Sequence, residues 1–358
     1  MRFALPRTRR EQAGRRAAAL RAEIAARGED AVRARALGDA LEAAGRRLEA
    51  IDALTAANRL RPDAALERRL VRLRRKAFSE LGRAPSSFVP APVAADAARE
   101  IGADALTADA LRGGILRHGC LLVRGLVPGA RVERLRAAID RAFAACDATL
   151  AGREIPERRA WYDPVERVPK DASRAWVRAG KGVLAADSPR AFFEFMETVS
   201  ALRLDALATA YLGERPALSV EKSVLRRADA SLHQSTWHQD GAFLGDGIRT
   251  LDVWLALSRC GRDAPGLELI PLRLARVLPT GEPGTYFEWT ASPETIEREL
   301  PGAPRWRPAF EEGDVLFFDH LLLHRTAAEP EMPGVRYAIE SWWFAPSVYP
   351  RASTPLVV

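Results

Sequence analysis

The sequence predicts a mainly β protein with helices. A closed antiparallel barrel or double-sheet jelly roll is expected at residues 98–358, preceded by a small α-helical segment at 1–83. Three observations predict it. Residues 1–83 are rich in Ala, Arg, Glu and Leu, and their apolar residues recur at three and four, the helical period. From about residue 217 the texture changes to short runs of β-branched and aromatic residues, punctuated by the turn signals "GDG", "GRDAPG", "EEGD" and "EPEMPG". Between these regions a Pro- and Ala-rich connection at 84–97, around "PSSFVPAPVAADA", marks a boundary.

In chain order, "REQAGRRAAALRAEIAARG" is a helix that Gly28 ends. "DAVRARALGDALEAAG" is a second, ending near Gly45, and "RRLEAIDALTAANRLRP" a third, stopped by Pro62. "DAALERRLVRLRRKAFSELG" is a fourth. After the connection come a helix, a turn and the strand "GCLLVRGL", then the helix "GARVERLRAAIDRAFAAC". Residues 150–190 show little periodicity and are expected to form a long irregular lid. "RAFFEFMETVSALRLDALATAYLG" returns to helix. The strand candidates are "ALSVEKSVLRRA", "RTLDVWLALSRC", "LELIPLRL", "GDVLFFDHLLLHRT" and "VRYAIESWWFAP". Many short strands joined by hairpin turns are best closed into a barrel or jelly roll, which manages its edges and holds a site in its mouth.

Composition excludes several classes. Hydrophobic residues at 47% and charged residues at 28% are ordinary for a globular protein. The net charge of +7 comes from arginines spread through helical segments rather than one patch, so no nucleic-acid partner is expected. No run reaches the ~18 apolar residues of a membrane span, and no signal peptide is visible, so no membrane association is expected. Cys120, Cys146 and Cys260 form no CxxC pair, which fits a reducing, cytoplasmic setting. No GxSxG elbow and no phosphate-binding loop is present.

The chain has only 5 histidines, and one stands in "WHQDGAFLG", two residues before Asp240. On a strand or its frayed end, His238 and Asp240 leave the same face, so an imidazole and a carboxylate reach one metal ion. A third ligand must come from elsewhere, and the candidates are His320 and His324 in "FFDHLLLHRT". If that stretch is one strand, the two lie on one face about 13 Å apart, and a single metal uses only one of them. Two histidines and a carboxylate with open positions form the facial triad of non-haem Fe(II) oxygenases, and the same set also describes some catalytic zinc sites. A buried His–Asp couple without metal is the remaining alternative.

Residues from about 105 to 348 resemble the phytanoyl-CoA dioxygenase family of Fe(II)/2-oxoglutarate-dependent oxygenases. The resemblance is carried, in this order, by "WHQDG", "DVWLALSRCGRDAPGLELIP", "GDVLFFDHLLLHRT" and "RYAIESWW". It implies a double-stranded β-helix of the cupin-like kind, with Fe(II), 2-oxoglutarate and O2 as cofactor and cosubstrates. It implies His238, Asp240 and His324 as catalytic iron ligands, leaving His320 to the core. It implies Arg336, twelve residues after His324, as the grip on the distal carboxylate of 2-oxoglutarate, a task that suits a planar, permanently charged guanidinium. The implied activity is oxidation, most often hydroxylation, of a small organic molecule, and Asp240 stands where related halogenating enzymes have a small residue.

Softer candidates surround these. Lys222 and Thr250 are candidates for holding the cosubstrate; Trp237, Phe243, Trp254, Arg178 and Trp342 are candidates for lining the substrate pocket, against the alternative that several of them are core. His233 is close to the metal pair, the alternative being a loop histidine. The basic and aromatic residues of 150–190 point to an anionic or polar substrate, or else to a solvated basic loop. Ala34, Leu37, Gly38, Leu41, Ala50, Leu54, Ala57 and Pro62 fall at the offsets of one tetratricopeptide-type repeat. A single repeat makes no solenoid, so residues 1–83 are either a helical cap or a docking surface for a protein or carrier partner. The rival functions are an inactive scaffold built on this fold and a zinc hydrolase, which would leave Arg336 without a role.

Overall fold

The computed structural model describes residues 7–81, 96–165, 172–232, 236–245, 247–283, 285 and 287–358. His233 and most of the 84–97 connection lie outside the described residues. The chain opens with four helices, α1 (Arg7–Arg27), α2 (Ala31–Ala43), α3 (Arg47–Leu60) and α4 (Ala64–Ala77). Asp30 and Asp63 cap α2 and α4 by accepting hydrogen bonds from first-turn amides. The small residues of the repeat do what the pattern implies. A Cβ on Gly38 of α2 would come within 2.5 Å of the Leu54 side chain of α3, so the two helices cross where no side chain intervenes.

Among the described residues ten strands follow: β1 (Glu100–Gly102), β2 (Cys120–Arg124), β3 (Gly182–Leu184), β4 (Ala217–Ala228), β5 (Thr250–Ala256), β6 (Gly266–Ile270), β7 (Val315–Phe318), β8 (Leu323–Ala327), β9 (Arg336–Phe344) and β10 (Pro355–Val357). Eight form one sheet, ordered β1-β2-β7-β5-β9-β4-β10 with β3 also paired to β4. β6 and β8 form a second, two-stranded antiparallel sheet.

Period-two alternation divides β2, β5, β7 and β9 of the large sheet between two faces. Leu121, Val123, Leu251, Val253, Leu255, Val315, Phe317, Ile339 and Trp343 turn to one face and join the main core. That core includes α5 (Ala108–His118), α6 (Gly129–Leu150), α7 (Arg158–Trp161), α8 (Ala172–Ala179), α9 (Pro189–Ala201) and α10 (Leu204–Leu212). Cys120, Leu122, Trp254, Ala256, Leu316, Phe318 and Ala338 turn to the other face and meet Leu267 and Leu269 of the small sheet. The space between the two sheets is the interior of the jelly roll, and one end of it holds the candidate site.

Two expectations are corrected. "GDVLFFDHLLLHRT" is not one strand: it is β7 and β8, lying in different sheets and joined by a turn at Asp319–Leu322. Asp319 makes that turn, its Oδ1 accepting from the Leu321 amide at 3.0 Å. The described residues of the 150–190 segment are more regular than their weak periodicity implies, because their partners are tertiary. Val177, Val183 and Leu184 join the main core, and β3 pairs with β4.

Helices α1–α4 have their own core, which includes Val357 of β10. Buried Arg74 donates to the Val357 carbonyl at 2.8 Å, and Arg59–Glu197 and Arg190–Glu67 add ion pairs to α9. Among the described residues no helix is long and apolar enough to cross a membrane.

Candidate metal centre

His238 does not sit within a strand. It forms isolated antiparallel bridges with His324 and Thr290, and the chain then turns at Asp240 into a four-residue helix, Gly241–Leu244. His238 and His324 exchange backbone hydrogen bonds of 3.0 Å in both directions. Their rings, 4.4 Å apart between centroids, therefore leave the same side of a shared ladder.

The ring orientations are set by the backbone. Nδ1 of His238 lies 3.0 Å from the Thr236 carbonyl, and Nδ1 of His324 lies 3.0 Å from the Leu322 carbonyl. A carbonyl only accepts, so each Nδ1 carries the proton and each Nε2 presents its lone pair. Those Nε2 atoms stand 3.8 and 4.0 Å from the two Asp240 carboxylate oxygens, too far for hydrogen bonds. One ligand atom from each of His238, Asp240 and His324 falls within 4.8 Å of the others. Burial pushes the imidazoles down and the Asp240 carboxyl up from their ordinary values. A dication placed among them would reverse the carboxyl's preference by supplying the missing charge and would keep the imidazoles neutral. Two neutral imidazoles and a carboxylate, oriented and unpaired, fit a divalent metal.

Gln239, a residue the sequence analysis passed over, holds the ligand turn in place. Its Nε2 donates to the Leu321 and Arg276 carbonyls at 2.8 and 3.1 Å, and its Oε1 accepts from the Leu278 amide at 2.7 Å. His320 lies in the β7–β8 turn. Its amide donates to Thr250 Oγ1 at 3.0 Å, and its carbonyl accepts from the Gly241 amide at 2.9 Å.

A scan of family models matches residues 115–329 to phytanoyl-CoA dioxygenase. The chain belongs to the phytanoyl-CoA dioxygenase family. As in that family of oxygenases, Fe(II), 2-oxoglutarate and O2 are its cofactor and cosubstrates. No curated protein sequence matches it. Among solved structures it is similar to the non-heme α-ketoglutarate-dependent carbocyclase SnoK from nogalamycin biosynthesis, at 18% identity over 68% of this chain and 85% of that one, TM-score 0.45. It is also similar to EctD from S. alaskensis with bound Fe, at 16% identity over 64% and 74%, TM-score 0.46. AviO1 from Streptomyces viridochromogenes Tue57 is a third, at 17% identity over 66% and 94%, TM-score 0.41.

The remaining candidates of this phytanoyl-CoA dioxygenase family member fall in different places. Arg336 opens β9 on the interior face and is 4% exposed. Its Nη1 donates to the Gly266 carbonyl at 3.2 Å, while its Nε has no partner among the described residues. Burial brings its pKa down to about 10, so it stays charged at neutral pH. Trp254 is beside it: the guanidinium stands 5.9 Å from the Trp254 ring, which packs on Phe310 at 4.6 Å. Thr250 is paired with Phe344, at the opposite end of β9 from Arg336, and bonds His320. Lys222, in an irregular stretch of β4, has its ammonium 4.1 Å from the Phe243 ring and 5.1 Å from Trp342.

Trp237 is turned away from the metal ligands. Neighbouring residues of an extended chain point in opposite directions, so with His238 facing inward Trp237 packs outside among Ile270, Leu278 and Leu323, under the Arg325 guanidinium. Arg178 is engaged with Asp147 and the Phe143 ring, and Arg174 with Asp187, so these cations of the 150–190 segment meet carboxylates of the protein. Phe243 and Trp342 stack on each other at 5.9 Å. Trp289, not among the sequence candidates, meets both His238 and Phe243 edge-on at 5.2 and 5.4 Å and stacks on Phe287. Asp252, also not among them, is a carboxylate buried on the interior face of β5; a single charge inside "TLDVWLAL" was the available signal.

Proposed function

We propose that the protein hydroxylates a small organic molecule, using His238, Asp240 and His324 to hold Fe(II) and Arg336 to hold 2-oxoglutarate. The observation that carries this reading is the triad itself: three ligand atoms within 4.8 Å, both histidines fixed through Nδ1 so that only Nε2 is offered. Iron bound there couples the oxidative decarboxylation of 2-oxoglutarate by O2 to oxidation of a substrate C–H bond.

The protein's part is to bind and to aim. Three ligands leave open positions on the metal for cosubstrates. Arg336 offers a fork-shaped pair of donors to a distal carboxylate, and its buried setting strengthens charge-assisted bonds that water would otherwise weaken. Asp240 keeps the carboxylate in the ligand set, which favours hydroxylation over halide transfer. Phe243, Trp289 and Trp342 form an aromatic wall running out from His238, suited to the apolar body of a substrate. Trp176 of α8 meets Phe287 edge-on at 5.1 Å, extending that wall toward solvent and making α8 part of a lid. Helices α1–α4, which share a core with β10, act as a cap on the oxygenase unit.

The test is incubation of purified, Fe(II)-loaded protein with 2-oxoglutarate, O2 and a panel of candidate substrates, read by succinate formation and by gain of one oxygen atom. Turnover that persists without O2 and 2-oxoglutarate would replace this reading with metal-assisted hydrolysis.

A further inference from the structure

The interior holds polar groups beyond the iron ligands and Arg336, among them Lys222, first considered for the cosubstrate. Asp252 of β5 and Trp342 of β9 are register partners on the interior face. Asp252 is 3% exposed and Trp342 4%, yet Asp252 Oδ1 and Trp342 Nε1 have no hydrogen-bond partner among the described residues. Burying such groups unpaired is costly, so a ligand that pairs them is strongly favoured. The Lys222 ammonium lies beside the same Trp342 ring, and no described residue forms a hydrogen bond or ion pair with it. Arg336 is six residues back along β9, about 20 Å for an extended strand. Cosubstrate gripped by Arg336 thus leaves the Trp342 end to substrate.

Charge counting narrows the substrate further. Strands β4, β5 and β9, together with the ligand turn, bring Lys222, Arg226 and Arg336 and the carboxylates Asp240, Asp252 and Glu340 to this interior. Arg226 and Glu340 pair with each other. With the carboxyls ionised, the three cations balance the three carboxylates; burial pushes the Asp252 carboxyl up, and an ammonium placed against it favours the charged form. Fe(II) and the 2-oxoglutarate dianion then add charges that cancel each other. A buried site of this kind disfavours a ligand that brings an unbalanced charge.

Resting on the oxygenase reading above, we infer that the substrate is a zwitterion of the amino-acid class: its ammonium meets Asp252, its carboxylate meets Lys222 and the Trp342 indole N–H, and its side chain lies along Phe243 and Trp289. The unused groups, one acceptor carboxylate beside two donors, are the complement of that pair of charges.

Equilibrium dialysis of the full-length protein, loaded anaerobically with Fe(II) and 2-oxoglutarate, tests this. The probes are three pools: the protein amino acids, the amines left by removing their carboxylates, and the acids left by removing their amino groups. At least one amino acid is expected to be retained about tenfold or more over both of its single-charge counterparts. Asp252→Asn should bring the acid level with it, and Lys222→Met should bring the amine level. Equal retention of acids or amines by the unaltered protein, retention of no amino acid, or an unchanged order in Asp252→Asn overturns the inference. Iron and 2-oxoglutarate content measured on the same samples separates the two readings. Failed loading rejects the oxygenase assignment, whereas intact loading with the wrong order rejects only the substrate class.

Discussion

His238 and His324 are joined through their backbones before any metal is considered: each amide donates to the other's carbonyl at 3.0 Å. The two ligands are 86 positions apart in the chain, so this short ladder carries the long-range part of the site's assembly. It also means that side-chain truncation at either position removes a metal ligand without removing the pairing.

Replacing His324 or Asp240 by Ala should therefore leave the fold in place and weaken iron binding by more than the ~10–100-fold seen when only an outer-shell contact is lost. Circular dichroism reads the first effect and iron titration followed by metal analysis the second. Full iron occupancy in either variant would show that the ligands are misassigned.

Arg336→Lys keeps the charge but loses the fork. The bonds at stake are charge-assisted, worth about 1.5–3 kcal/mol each, so KM for 2-oxoglutarate should rise roughly tenfold or more. Steady-state succinate formation against 2-oxoglutarate concentration measures it, and an unchanged KM rejects the assignment.

Gly38→Leu forces a side chain into the crossing of α2 and α3, where even a Cβ would stand 2.5 Å from Leu54. Overpacking of this kind costs typically about 1–3 kcal/mol. The midpoint of urea unfolding should fall by the corresponding amount. If the helices instead docked loosely, the midpoint would not move.

Deleting residues 1–83 should uncover Val357, which is fully buried, and the Val357 carbonyl that Arg74 now satisfies. Loss of solubility or a lowered melting temperature is the expected outcome. A truncated protein with full stability, but failing on a protein-bound substrate alone, would favour a docking role for these helices.

Burial pushes the Cys120 and Cys260 thiols up to about 12. At pH 8 their thiolate fraction falls well below that of a free cysteine, and the thiolate is the reactive form. Iodoacetamide should leave both unmodified in the native protein and alkylate them once it is denatured. Peptide mass spectrometry compares the two states, and rapid native labelling would contradict their burial.

The sequence alone determined what local pattern carries. Strand-forming residues between turn signals marked β4 residue for residue, Asp and Gly signals bounded α2, and residue types paired His238 with Asp240, while the family resemblance chose iron and His324 over His320. Tertiary structure decided what neighbours decide. A turn built on Asp319 split one apparent strand between two sheets, and β4 gave the weakly periodic 182–184 segment its partner. Which face of β5 and β9 turned inward was also settled there. Alternation says that Thr250, Asp252 and Trp254 share a side, but it is identical for a strand and its inverted placement. Only the main core claiming Leu251, Val253 and Leu255 sent Asp252 toward the iron site.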